Sequence, residues 1–599
     1  MSRPRNAQEF IHWLEVGAGA HWLRLAAVLA VTLALSLRVA WTQFRGPASE
    51  STLIQADTGR QLSLGRGFTT KVNLPQTVAV FAAHQVGFEA ERPYPELHHA
   101  PLYSLVIAGA LRVVPKNLRE HLFATAPVPP DGFAPDYVLL TVNLILLWLA
   151  AGLTFELARR LFEVRAGVLA AGAVLVSSPI WQAAVAVNGT PLLMVLALAV
   201  FLIWHRMEEV AGRAMNDRRL VLWAVALGLM CGLLFLAEYS AGAMVGVALA
   251  YAATRFRGAV RGWLIAGVAG GFLLVAAPWM VRNIALTGHP VALARHNVAL
   301  KFGDPTAEPA TMRATLSAAA PDLDLKKIGN KTLTSLQENL TSRMWSGGAM
   351  WFSAFFVAGW LYAFRIQPVN RLRWIFTASF GVLLVAQGTF NSGETERLVA
   401  VWLAPLMIVF GSGFFLVLLG SNAWLASWPR ATLTVLLCIQ ALPLLHSVME
   451  PRRLHFQYPP YFPSLFQGMS QELRRRDAAG RFGLMADVPA GVAWYGQERA
   501  WALPPRLRDF YAITLQQPIG ELLLTPRTLD RPFFSELNAQ PILPGTLSVV
   551  PNRFGEWGAI YAGLLTGALP REFPLAAPQK LAENLYVLLN PALPPVRGK

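Results

Sequence analysis

The side chains best placed to do chemistry form two clusters that bracket one polar stretch, residues 54–103. Asp57 stands just past the end of an apolar run, Leu23–Trp41. A carboxylate at a membrane face could act as a general base on an acceptor hydroxyl or amine. The same aspartate, ahead of the stretch that runs to Leu64, could equally cap a helix N-terminus. Glu96, His98 and His99 directly precede Pro101-Leu102-Tyr103. They could hold a metal, contact a phosphate or lie in a solvated loop. Adjacent histidines do not point the same way on a helix, so the pair is a weak metal signal. A histidine on a phosphate is the more economical functional reading.

Three more residues join these on chemical grounds. Glu238 lies between two apolar runs in LFLAEYSAG, where an acid is either a functional group or bathed in headgroup water. Arg282 ends one apolar run, and Arg397 begins another beside Glu394 and Glu396. A guanidinium at the outer face suits a lipid phosphate, although snorkelling or a surface ion pair would also explain each one. The sequons at Asn188, Asn330 and Asn339 carry no weight, because the pattern is short and frequent.

The elements that must position these residues are apolar helices. Over 599 residues the chain is 54% hydrophobic and only 14% charged, with mean hydropathy +0.42. Runs of about twenty uncharged residues recur, which predicts a polytopic helical membrane protein. Eleven stretches are expected to span: Leu23–Trp41, Pro135–Leu157, Ala166–Trp181, Pro191–His205, Leu220–Leu236, Ser240–Thr254, Trp263–Val281, Trp345–Phe364, Trp374–Phe390, Leu398–Leu419 and Thr432–Val448. The net charge of +16 sits in short loops, which reads as topology and excludes a nucleic-acid partner. Cys231 and Cys438 both fall in apolar runs and read as packing residues, not as a disulfide or metal site.

Leu102–Val114, apolar but short, decides the side of every later loop. If it does not cross, the arginines at 159, 160, 165, 206, 213, 218, 219, 255, 257, 261, 365, 371 and 373 all face the cytoplasm, as does the N-terminus with Arg3, Arg5 and Arg24. That assignment leaves loops 43–134 and 282–344 outside, the second with a helical stretch at Asp324–Asn339. Residues 1–450 then form a membrane domain. Residues 451–599 alternate short apolar runs with Pro and Gly around a helix at Phe466–Arg476, which predicts a small outer α/β domain.

In order along Leu23–Val448, the chain resembles the type C superfamily of integral-membrane glycosyltransferases. Within it, the likeness is to the branch of protein O-mannosyltransferases and lipid A aminoarabinose transferases. The residues that carry it are the acid after the first span (Asp57), then HAPLYSLVIAGAL, ARRLFEVRAGVLAAGAVLVSSP, GLLFLAEYSAG, APWMVRNIALTGHPV and ERLVAVWLAPL. ADVPAGVAWYGQERAWALP looks like the outer domain of bacterial relatives. The resemblance implies Asp57 as catalytic base and His99, with His98 and Glu96 beside it, near the donor phosphate. It also implies Arg282 and Arg397, with Glu238, near the lipid headgroup. It departs where the family's Asp-Glu pair reads Asp57-Thr58 and where an acid of the second outer loop is replaced by Asn188.

The resemblance further implies a bacterial plasma-membrane enzyme that works on the outer, periplasmic face. It would move a sugar from a polyprenyl phosphate to a protein or glycolipid acceptor by inverting displacement. No cofactor is required, and a divalent metal is left open. A flippase for a lipid-linked sugar would need broken, charged helices at mid-membrane and inverted repeats, and no repeat is evident. A non-catalytic assembly protein would tolerate loss of the first-loop acid.

Overall fold

Long apolar helices with little polar surface between them set the architecture. The computed structural model describes residues 18–89, 92–124, 132–212, 217–299, 309–320, 323–390, 397–422, 424, 427–453, 456, 458–529, 556–567, 569, 573–582 and 584–594. Arg3, Arg5, Arg213, Glu394 and Glu396 lie outside them. Among the described residues, eight helices are long and apolar enough to cross a bilayer, or nine if a bent pair counts as one.

All eleven expected stretches form helix, but not all reach span length. Ala166–Trp181 falls in the bent pair, Val164–Leu175 and Ser178–Val185, set at 54°. Ser177 is extended there and Pro179, which has no N–H to donate, opens the second helix. Ser240–Thr254 forms a 3₁₀ turn, Tyr239–Ala243, and a short helix, Met244–Arg255, because Glu238 is extended and ends the helix before it. In Trp345–Phe364 the extended Gly347 breaks the run and leaves Trp351–Leu361 as a short apolar helix. Leu102–Val113 has 12 residues. Its rise of about 18 Å is well short of a hydrocarbon core.

Close packing relies on small residues. A Cβ on Gly228 would lie 2.1 Å from the Val268 carbonyl oxygen, and one on Gly271 would lie 2.4 Å from that of Val225. The helices Asp217–Ala237 and Gly258–Thr287 therefore meet backbone to backbone. At the end of Thr190–Gly212 remote from Thr190, the buried Glu208 accepts hydrogen bonds from Tyr251 and Arg255 of the Met244–Arg255 helix and from Arg371, tying together two further segments.

The C-terminal region supplies most of a six-stranded sheet. Its strands are β2 (Val72–Asn73), β4 (Gly483–Ala486), β5 (Ala500–Ala502), β6 (Ile519–Leu524), β7 (Ala576–Ala582) and β8 (Leu585–Leu589), in the order β2-β5-β4-β6-β8-β7. The strands β2, β5, β4 and β6 are parallel, and β8 and β7 add antiparallel. A separate pair joins β1 (Thr69–Thr70) to β3 (Tyr94–Pro95). The expected helix is present as Pro463–Arg476, and β4, β6 and β8 coincide with the expected apolar runs.

The edge strand β2 comes from the segment between the first two spans, so that segment and the C-terminal region share one sheet. Further ties fix the pairing. Asp136, at the start of the Ala134–Leu161 helix, accepts from Trp494 Nε1 at 2.7 Å and Tyr495 O–H at 3.2 Å. Arg527 pairs with Glu50 at 3.0 Å, and Lys71 Nζ donates to the Gln497 carbonyl at 2.6 Å.

Candidate active site

The helix Glu50–Ser63 begins the site. Ser49 caps it, its Oγ accepting from Thr52 N at 3.2 Å. Asp57 is therefore not the N-cap that its sequence context allowed. It lies in the helix interior, fully buried. One of its oxygens accepts from Gln61 Nε2 at 3.1 Å, and the other from Thr70 Oγ1 at 3.0 Å and Lys71 N at 2.7 Å. The carboxylate thus pins the start of the sheet-forming segment to the helix. Two buried cations flank it. Burial lowers Arg60 to about 10 and Lys71 to about 8, with Asp57 opposing both shifts.

Four of the remaining residues singled out in the sequence converge on one cavity at the helix ends that face the sheet-forming region. His98, His99, Glu238 and Arg397 line it, together with Ser51, Tyr239, Arg313 and Gln387. The cavity encloses about 710 Å³, including its mouth. Arg397 forms its cationic wall. Nη1 pairs with Glu238 at 3.0 Å, and Nε donates to the Asn188 carbonyl at 2.7 Å. Gln387 locks the adjoining chain, donating to the Arg397 carbonyl at 2.9 Å and accepting from Val399 N at 3.0 Å.

The backbone at this wall is strained. Arg397 has φ 53° and Val187 φ 58°, the left-handed region that a β-branched residue rarely enters. Tyr103 O–H holds Val187 there by donating to its carbonyl at 2.8 Å. Such outliers persist where surrounding contacts over-determine them, and they concentrate at functional sites. On the far side of Arg397 lies a second groove, lined by Gln182, Asn188, Thr190 and Arg343.

Glu96 and Arg282 stand behind the cavity. The Glu96 carboxylate accepts from the backbone N–H groups of His98 (2.8 Å) and His99 (3.1 Å) and lies 2.9 Å from His99 Nδ1. Arg282 donates to the carbonyls of Glu96 (3.3 Å) and Phe68 (3.4 Å) and lies 4.4 Å over the Trp279 ring. It braces the loop. His98 Nε2 is 3.2 Å from Thr77 Oγ1, and burial, then Arg313, holds its imidazole well below the usual range and neutral. No group of three or more His, Cys, Asp or Glu converges on a metal position among the described residues.

No protein-family model matches the chain, and no curated protein matches its sequence. Solved structures do resemble it. ArnT from Cupriavidus metallidurans, solved with undecaprenyl phosphate bound, is 13% identical with a TM-score of 0.51, over 96% of this chain and 99% of that one. The oligosaccharyltransferase of Archaeoglobus fulgidus, solved with zinc and sulfate, is 12% identical with a TM-score of 0.51, over 82% of this chain and 67% of that one. The fold is of the type C glycosyltransferase kind. The cavity sits where the segment after the first span, two broken helix ends and the strained Arg397 turn meet.

Sequence reasoning overlooked Ser51 and Gln387. The SEST run at 49–52 carries an N-cap signal that would have put Ser51 in a first turn, and Gln387 is an amide near the end of an apolar run. Nothing local marks Arg313.

Proposed function

We propose that this chain is a glycosyltransferase of a bacterial plasma membrane. It transfers a sugar from a polyprenyl-phosphate carrier to a protein or glycolipid acceptor on the outer face. The observation that carries the reading is Arg397. This buried guanidinium is held by Glu238 and Asn188 in a strained turn, and it lines a polar cavity at the helix ends. A fixed cation there stabilises the phosphate that departs as the glycosidic bond breaks, at no reorganisation cost. The binding of undecaprenyl phosphate by ArnT supports the same donor class here. Inverting displacement forms no covalent intermediate and needs one base. Asp57, the base expected from the sequence, is better read as the anchor of the first loop, since it neither lines the cavity nor has an unoccupied oxygen.

The test is mass spectrometry of glycolipids and glycoproteins from cells with and without the chain, then transfer by purified protein in nanodiscs. A sugar-mass difference that depends on the chain is expected. Arg397→Ala should cut transfer about 10²–10³-fold, the scale for loss of one stabilising donor. Arg397→Lys should recover little, because an ammonium cannot satisfy Glu238 and the Asn188 carbonyl in the same fork. Unchanged glycan profiles, or full transfer by a folded Arg397→Ala protein, would overturn the proposal.

A further inference from the structure

A displacement at the sugar carbon needs somewhere for the acceptor proton to go, and the cavity wall already contains a relay. Ser51 Oγ lies 2.7 Å from His99 Nε2, and His99 Nδ1 lies 2.9 Å from Glu96 Oε1. Burial pushes the Glu96 carboxyl up. The His99 ring beside it and the N–H groups of His98 and His99 outweigh this and hold it below the usual carboxylate range. An ionised carboxylate only accepts, so the imidazole proton sits on Nδ1 and the Nε2 lone pair faces the Ser51 hydroxyl. Ser51 and His99 both line the cavity, whereas Glu96 lies buried beneath them.

We propose that Ser51, His99 and Glu96 are the proton relay of the transfer reaction and that the acceptor group is a hydroxyl. The inference rests on the transferase reading above. The acceptor hydroxyl donates its proton to Ser51 Oγ while Ser51 passes its own to His99 Nε2. The acceptor oxygen bonds to the anomeric carbon as the bond from that carbon to the donor phosphate oxygen breaks. The phosphate leaves with the electron pair beside Arg397. Glu96 stabilises the imidazolium, which then releases its proton to solvent. Ser51 and His99 are the catalytic residues, and Glu96 is a positioning residue.

The opposite role, an imidazolium gripping the donor phosphate, would need a proton on Nε2, which at 2.7 Å from Ser51 Oγ would be donated to Ser51 and not to the phosphate. The charged and titratable neighbours of His99 are few. Glu96 and the neutral His98 share its segment, and Glu238 and Arg397 stand across the cavity. Arg313 enters from the second outer loop, Tyr239 O–H donates to the His99 carbonyl at 3.4 Å, and Arg282 braces Glu96 from behind.

The two roles of His99 give pH profiles of opposite sign. As a base, it supports transfer above its protonation range, and kcat/KM falls as pH drops through that range. As a phosphate-gripping cation, it supports transfer below that range and loses it above. We expect the first profile, with His99→Gln lowering kcat about 10²–10⁴-fold while undecaprenyl phosphate binding to the nanodisc-embedded protein stays unchanged. Ser51→Ala should lose activity that Ser51→Thr restores. Glu96→Gln should move the acid limb about one unit lower, since the imidazolium loses its counter-charge. Transfer that survives in His99→Gln, an alkaline limb in place of the acid one, or equal rates for Ser51→Ala and Ser51→Thr would overturn the relay alone. No transfer by the unaltered protein from any polyprenyl-phosphate sugar would overturn the transferase reading and the relay with it.

Discussion

Asp57 is packed away from the cavity that His99 lines, and the roles proposed for the two residues follow from that placement. Asp57 occupies all of its carboxylate with Gln61, Thr70 and Lys71 N, so no acceptor can reach it without breaking a packed junction. Asp57→Asn would turn an N–H2 group toward at least one of those donors. Stranding a buried partner costs about 1–3 kcal/mol. The variant is therefore expected to unfold several degrees lower while its folded fraction keeps turnover within a few-fold. Melting curves in detergent, paired with turnover at low temperature, check this. A 10²-fold loss of turnover with unchanged melting would return the base to Asp57.

Among the elements, the crossing of Asp217–Ala237 with Gly258–Thr287 is the most exacting. At Gly228 the intruding atoms are backbone, so no rotamer can relieve an added methyl group. Gly228→Ala is expected to destabilise the protein by about 1–3 kcal/mol, the usual range for overpacking. Gly246→Ala, on a short helix with open space at its Cβ, serves as the control. Equal melting temperatures for the two variants would show that the helices slide apart freely. The crossing matters for function because one helix ends beside Glu238 and the other carries Arg282 near its end, and these two residues fix Arg397 and Glu96. The break at Glu238 is itself an element-scale event. A continuous helix would carry that carboxylate on past the cavity.

At the scale of the whole molecule, the C-terminal sheet region clamps the first loop through β2, Glu50 and Lys71, so its stability and the site geometry are linked. Glu521, buried in β6, has no hydrogen-bond partner for either oxygen among the described residues. Burial, reinforced by Glu472 and opposed by Arg476, raises it to about 8. A carboxyl raised in the folded state holds its proton more tightly folded than unfolded. Stability is therefore greatest below the ordinary carboxylate range and is lost as pH rises toward about 8. Glu521→Gln should raise the unfolding temperature of the domain at pH 8 and leave it nearly unchanged near pH 4. Calorimetry at the two values checks both the direction and the window. A uniform shift at both would assign the effect to packing.

The sequence alone determined the properties that repeat along the chain. Apolar runs dictate helices because a bilayer offers no other partner for the backbone, so helices lie in all eleven expected stretches and the short Leu102–Val113 stays short. The alternation of short runs with Pro and Gly after residue 450 likewise foretold β4, β6, β8 and the Pro463–Arg476 helix. Residue chemistry also singled out His98, His99, Glu238 and Arg397, because ionisable side chains at apolar boundaries are costly unless they are used, and the structure brings these four to one cavity. Only the tertiary structure decided what those groups face. The engagement of both Asp57 oxygens depended on Thr70 and Lys71 folding back over it. The His99 relay depended on Ser51, 48 positions earlier, reaching its ring. The grip on Arg397 depended on Glu238 and Asn188, 159 and 209 positions away. Local pattern carries period and polarity, but it does not record which distant carbonyl or carboxylate will stand 3 Å from a given nitrogen.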